Sequence, residues 1–146
     1  MKKGKMLSII VVAVACLFSL VVAGTADQMA DEILIKSALW SNPTKAPVHF
    51  AHKKHAADYK IACTECHHRF DGGKNVWKEG DAVSKCGTCH NEPTIQEEAK
   101  LPPEQQKHNL KLAFHRNCHG CHQKLKKEKP DTTAPVTCIG CHPAQK

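Results

Sequence analysis

The chain has 146 residues, with 21 Lys and Arg against 14 Asp and Glu, a formal charge of +7 and 5% aromatic residues. That length holds one domain of ordinary size. Its scarcity of aromatics excludes a conventional apolar core, because a chain this long normally buries well over half of its unfolded surface.

The first stretch stands apart from that domain. Lys2, Lys3 and Lys5 form a basic head, and Met6 to Ala23 is an apolar run broken only by Ser8 and Ser19. Gly24, Thr25 and Ala26 supply the small residues that a signal peptidase needs, so residues 1–26 read as a secretory signal peptide and 27–146 as the exported domain. The rival reading is an uncleaved membrane anchor, since the run sits at the lower edge of spanning length. A lipoprotein reading of Cys16 fits poorly: Ala13 precedes it by three, and the residues after it stay apolar.

Beyond the leader, Ala30 to Trp40 suits a helix, although Ile33, Leu34 and Ile35 could equally begin a strand. Pro47-Val-His-Phe50 reads as a short extended piece before a turn that carries His52 and His55, three apart on one helical face. A helix is predicted from Pro103, a favourable first-turn residue, through Phe114. It places His108, Leu112 and His115 on one face. The remaining segments are polar and rich in Lys, Glu, Gly and Pro. The aromatics available to a core are Trp40, Phe50, Tyr59, Phe70, Trp77 and Phe114.

Four segments share one pattern: Cys63-Thr-Glu-Cys66-His67, Cys86-Gly-Thr-Cys89-His90, Cys118-His-Gly-Cys121-His122 and Cys138-Ile-Gly-Cys141-His142. Cys-x-x-Cys-His is the attachment site of c-type haem. Two thiols add across the two vinyl groups on one edge of the porphyrin, and the adjacent histidine swings under the ring to coordinate iron. The motifs take up every cysteine after Cys16, and 18, 27 and 15 residues separate them, which is too irregular for a structural repeat. An exported, cysteine-rich small protein would otherwise suggest disulfides, and paired Cys-x-x-Cys units also build zinc sites. Neither alternative explains a histidine after every pair. The fold implied is an all-α/irregular multihaem cytochrome, a small single domain whose short helices and loops wrap around four haems, with a minor β-hairpin near the N-terminus.

Each iron needs a sixth ligand. After the leader there is one methionine, Met29, so methionine serves at most one site. Of 11 histidines, four are proximal, and His49, His52, His55, His68, His108, His115 and His119 remain. Bis-histidine ligation at every iron lowers the potentials relative to Met/His ligation. It also closes both axial positions, which favours an electron carrier over an enzyme.

Phe50-Ala-His52-Lys-Lys-His55, followed by Cys63-x-x-Cys66-His67-His68, resembles the opening of the class III tetrahaem cytochromes, the cytochrome c3 family. The resemblance continues through Ala113-Phe-His115-Arg-Asn-Cys118 to the last motif. It implies the axial pairs His67 with His52, His90 with His68, His122 with His55, and His142 with His115. It leaves His49, His108 and His119 as exposed or hydrogen-bonded histidines. Many family members place four residues between the cysteines of the second and fourth motifs. All four motifs here have two, and with the long segment from His90 to Cys118 this looks more like the type II branch.

The family resemblance implies a periplasmic carrier of anaerobic, sulfate-reducer-like respiration. Its partners would be hydrogenase, formate dehydrogenase or another cytochrome c3 on one side and a membrane-bound redox complex on the other. Losing Lys2, Lys3 and Lys5 with the leader takes the charge from +7 to +4. Eight haem propionates offset that, bringing the oxidised holoprotein to about neutrality, so the basic sequence does not imply nucleic-acid binding. Lys124, Lys126, Lys127 and Lys129 form either a docking patch for an acidic redox partner or a solvated loop. A monomer with at most peripheral membrane association is expected. The alternative function is a small multihaem reductase of metal ions or oxyanions, which needs an open iron or outer-sphere chemistry.

Overall fold

A computed structural model describes residues 29–144; the leader expected over residues 1–26 lies outside them. Strand β1 (Ile33–Ile35) pairs antiparallel with β2 (Val48–Phe50) in the register Ile33 to Phe50, Leu34 to His49 and Ile35 to Val48. The strand alternative for the Ile-Leu-Ile run therefore prevails over a helix across Ala30–Trp40. Two β-branched residues suit a pleated surface better than a helical one. The extended piece expected before the turn is β2 itself.

After a wide turn at Lys54–Asp58, the chain enters a tight hairpin of β3 (Phe70–Asp71) and β4 (Lys74–Asn75). Gly72 and Gly73 join the two strands with φ of 54° and 79°. Positive φ at both central residues matches the right-handed twist of flanking strands, and glycine reaches it without strain.

The single helix expected over Pro103–Phe114 is instead two: α1 (Pro103–His108) and α2 (Leu110–Phe114). Asn109 breaks it with extended backbone, φ −76° and ψ 119°, and its side-chain oxygen accepts the Leu112 N–H at 2.8 Å. Asparagine is a poor mid-helix residue and a strong N-cap for the same reason, its competition for backbone donors. From Leu110 the helical path then runs further than expected, through a π-turn at His115–His119 into α3 (Gly120–Glu128). The third motif thus lies inside a helix, and Lys124, Lys126 and Lys127 lie on its last turns. A short α4 (Cys138–Cys141) carries the fourth motif.

Among the described residues, the buried apolar side chains are Trp77, Leu110 and Leu112, joined by fully buried Asn109. Phe70 and Tyr59 are 66% and 53% exposed, so the aromatics do not gather into one core. No described helix is long and apolar enough to cross a membrane.

Candidate functional site

One helical turn explains the motif geometry. The first cysteine, the second at i+3 and the histidine at i+4 share a face. In three motifs the histidine N–H donates to the carbonyl of the first cysteine: His67 to Cys63 at 2.8 Å, His90 to Cys86 at 2.9 Å and His142 to Cys138 at 2.7 Å. The first two turns are 3₁₀ (Cys63–Glu65 and Cys86–Thr88). In the fourth, Thr137 caps the helix, its hydroxyl accepting the Gly140 N–H at 3.2 Å. In the third, the π-turn carries both His115 and Cys118. Such bulges inside helices recur at functional sites because they re-aim side chains.

No two of the eight motif cysteines are joined in a disulfide. Desolvation raises the thiols of Cys66, Cys86 and Cys141. Cys118 is pushed up to about 11 by desolvation, helped by Cys66, Cys141, Cys86 and Cys121 around it, although the residue as a whole is exposed. A nucleophilic cysteine needs the opposite shift. Among the described residues, no three His, Cys, Asp or Glu side chains are grouped closely enough to hold a metal ion.

The histidine rings meet in pairs. His52 faces His67 with centroids 6.1 Å apart, His68 faces His90 at 5.9 Å, His55 faces His122 at 6.1 Å, and His115 faces His142 at 6.5 Å. Two metal–nitrogen bonds of about 2 Å, added to the reach from each ring centre to its coordinating nitrogen, span roughly 6 Å. The four pairs therefore have the spacing of two imidazoles across one iron. Three are near-perpendicular, at 88°, 83° and 73°, while His55 and His122 are tilted by only 24°.

Backbone carbonyls orient these rings. Nδ1–H donates from His90 to Lys107 at 2.8 Å, from His122 to Pro135 at 2.9 Å, from His142 to Ala46 at 2.7 Å and from His55 to Ala51 at 2.9 Å. His52 Nδ1 reaches the Ala30 carbonyl at 3.3 Å. Each such bond fixes the proton on Nδ1 and leaves Nε2 unprotonated, with its lone pair available to a metal. The aromatics pack on the same rings. Trp77 lies 5.0 Å from His67, Phe70 5.3 Å from His68, Tyr59 5.7 Å from His55, and Phe50 touches both His52 and His55. Burial, aided by His52 and His68, lowers the His67 pKa and so favours its neutral form, the one able to bind a metal.

The three remaining histidines have other partners. His49 pairs with Glu32 at 2.5 Å on the exposed face of the β1–β2 sheet. His119 Nε2 donates to the Val136 carbonyl at 3.1 Å, and His108 Nδ1 to the Cys89 carbonyl at 3.0 Å. Because Asn109 breaks the helix, His108 and His115 no longer share a face: His108 turns to the second motif and His115 to the fourth. Asn109 itself, unnoticed in the sequence, is the hub of this region. Its amide donates to the Glu92 carboxylate at 2.5 Å and to the Thr94 carbonyl at 2.8 Å.

A sequence model of the Class III cytochrome C family matches residues 29–142. Cytochrome c3 of Maridesulfovibrio salexigens is 36% identical over 126 residues, covering 82% of this chain and 99% of that protein. Cytochrome c3 of Desulfovibrio desulfuricans is 32% identical over 124 residues, 80% of this chain and 97% of that protein. The high-molecular-weight cytochrome c of Nitratidesulfovibrio vulgaris is 34% identical over 80 residues, which is 55% of this chain but 12% of that longer protein.

Proposed function

The chain belongs to the class III cytochrome c family and is a multihaem electron-transfer protein whose cofactors are c-type haems, and from that premise we propose that it is a low-potential periplasmic carrier with four bis-histidine sites. The single observation that carries this reading is the meeting of four histidine pairs at 5.9–6.5 Å. In it, Cys63 and Cys66 anchor the first haem between His67 and His52, and Cys86 and Cys89 the second between His90 and His68. Cys118 and Cys121 anchor the third between His122 and His55, and Cys138 and Cys141 the fourth between His142 and His115.

Bound haem supplies a one-electron couple at each iron. The polypeptide does the rest. Paired imidazoles close both axial positions to substrates and favour low potentials. The carbonyls of Lys107, Pro135, Ala46 and Ala51 hold the Nδ1 protons and keep the rings from turning. Adjacent His67 and His68 reach different partners, so one stretch of backbone joins two sites.

The partners proposed are hydrogenase, formate dehydrogenase or another cytochrome c3 as donor, and a membrane-bound redox complex as acceptor. Exposed Lys124, Lys127 and Lys129 beside the third motif suit an acidic docking face. Lys126 is equally exposed, and its ammonium donates to the Thr132 carbonyl at 2.9 Å. Export by residues 1–26 and the type II branch belong to the same reading, the latter supported by two-residue spacing in every motif.

Carbon monoxide tests the closed sites. The reduced protein, with haem quantified, should carry four haems per chain and show no spectral change on adding the gas. A shift in a fraction of the haem would expose an open iron and favour a reductase. His115→Met should raise the potential of one haem, since methionine ligation raises it; an unchanged titration removes His115 from the fourth site.

A further inference from the structure

His108 is a histidine that the four pairs leave over, yet it is not an idle surface residue. Its Nδ1 lies 3.0 Å from the carbonyl of Cys89, while His90 Nδ1 lies 2.8 Å from the carbonyl of Lys107. A carbonyl only accepts, so both ring nitrogens carry protons and donate. Each histidine therefore donates to the residue immediately before the other, and the two segments are crossed by a reciprocal clasp. The backbone continues the contact: Glu92 N–H donates to the His108 carbonyl at 2.9 Å, and Leu110 N–H to the Glu92 carbonyl at 3.3 Å. Asn109 locks the far end through Glu92 and Thr94.

The third motif offers an instructive contrast. There His119 and His122 both donate in one direction, to the neighbouring carbonyls of Val136 and Pro135. Only at the second motif does a ring return the bond, and that ring comes from the long segment between the second and third motifs.

We infer that His108 is a positioning residue for the second haem: it holds the Cys89–His90 peptide against Lys107, so that His90 keeps its Nδ1–H bond and presents Nε2 at a fixed ring angle. This rests on the proposed reading of His90 as an axial ligand. A hydrogen-bonded Nδ1–H raises imidazole basicity. A more basic ligand favours ferric over ferrous iron, so the clasp holds the potential of that one haem down.

The test is a spectroelectrochemical titration of the intact protein and its variants, with haem content and attachment sites read by mass spectrometry. His108→Ala should raise one of the four midpoints, by roughly threefold to tenfold in its reduction equilibrium, at about 59 mV per tenfold for a one-electron couple. His68→Met should move the same wave and so identify it. His108→Gln, whose amide can still donate to the Cys89 carbonyl, should keep that midpoint close to the parent's, and His49→Ala should leave all four midpoints in place. Four unchanged midpoints in His108→Ala overturn the inference. If that variant does not mature, the ferrous parent decides by nuclear magnetic resonance: slowly exchanging Nδ1 protons on His90 and His108 support the clasp, and rapid exchange of both overturns it. Unmodified Cys86 and Cys89 in the parent defeat the underlying haem reading, and the clasp with it, which is a failure distinct from an unmoved wave.

Discussion

Residues 89–112 and residues 60–88 each include part of a haem-attachment region, but they are held by different means. In the first, the polypeptide closes on itself. Asn109 is fully buried, Leu110 and Leu112 pack beside it, and Glu92 and Thr94 receive its amide. Lys111 adds a bond to Glu98 at 2.6 Å and another to the Ile95 carbonyl at 2.7 Å. In the second, Trp77 is the buried side chain, and it lies against a histidine ring instead of an apolar cluster. Phe70 and Val83 are 66% and 59% exposed in the polypeptide. Residues 89–112 thus build a small core around one satisfied polar group, whereas residues 60–88 depend on ring contacts at the site.

Removing a haem should separate the two regions most sharply. Cys63→Ala with Cys66→Ala should leave three haems per chain by mass. Amide exchange should accelerate across residues 60–88 while residues 89–112 keep their protection; equal loss in both would dissolve the distinction. Trp77→Ala should come next, at about 3 kcal/mol for truncating a buried indole, read by chemical denaturation. Asn109→Ala should remove about 2 kcal/mol, since it deletes an N-cap and leaves the buried Leu112 N–H without its acceptor. Its exchange signature should fall on residues 89–112 and spare the Gly72–Gly73 hairpin.

The smallest effect should be acid-dependent. The hydrogen bond from Lys111, then a backbone hydrogen bond and the Lys111 charge, lowers the Glu98 carboxyl pKa against the opposing effect of burial. A depressed folded pKa contributes stability that is fully present above the unfolded value of about 4.3 and is lost as pH falls through the folded value. Glu98→Gln should therefore be less stable than the parent at neutral pH, with the gap closing below about pH 4 in denaturation series. A gap that persists in acid would show that Glu98 acts by packing.

The same division governs what could be read from the sequence. The Cys-x-x-Cys-His turns are local, and i, i+3, i+4 spacing alone puts their ligands on one face. The strand at Val48–Phe50 and the helix start at Pro103 were equally legible. Asn109 was hidden because Leu110 and Leu112 continue an apolar pattern across it, and only its propensity as a cap marked the break. The Gly72–Gly73 hairpin had a visible signal in the paired glycines. The histidine pairs had none: His55 and His122 are far apart in the chain, and family resemblance, not spacing, brought them together in the reading. Those same rings face each other in the structure. The role of His108 was concealed for the same reason, since its partner is a backbone carbonyl that no side-chain pattern reveals.

The bond from His142 to the carbonyl of Ala46 spans 96 residues. A chain made from its N-terminus delivers Ala46 and His55 early and their counterparts, His142 and His122, late. Ala46 and His55 must therefore wait for these partners until nearly the whole described chain exists, although the strand between them can pair with Ile33–Ile35 at once. Closing contacts of such separation late is entropically slow. Assembly then has a direction: the second motif can engage the segment that follows it well before the fourth finds Ala46, and a chain cut short before His142 would leave the Ala46 carbonyl without the ring it orients.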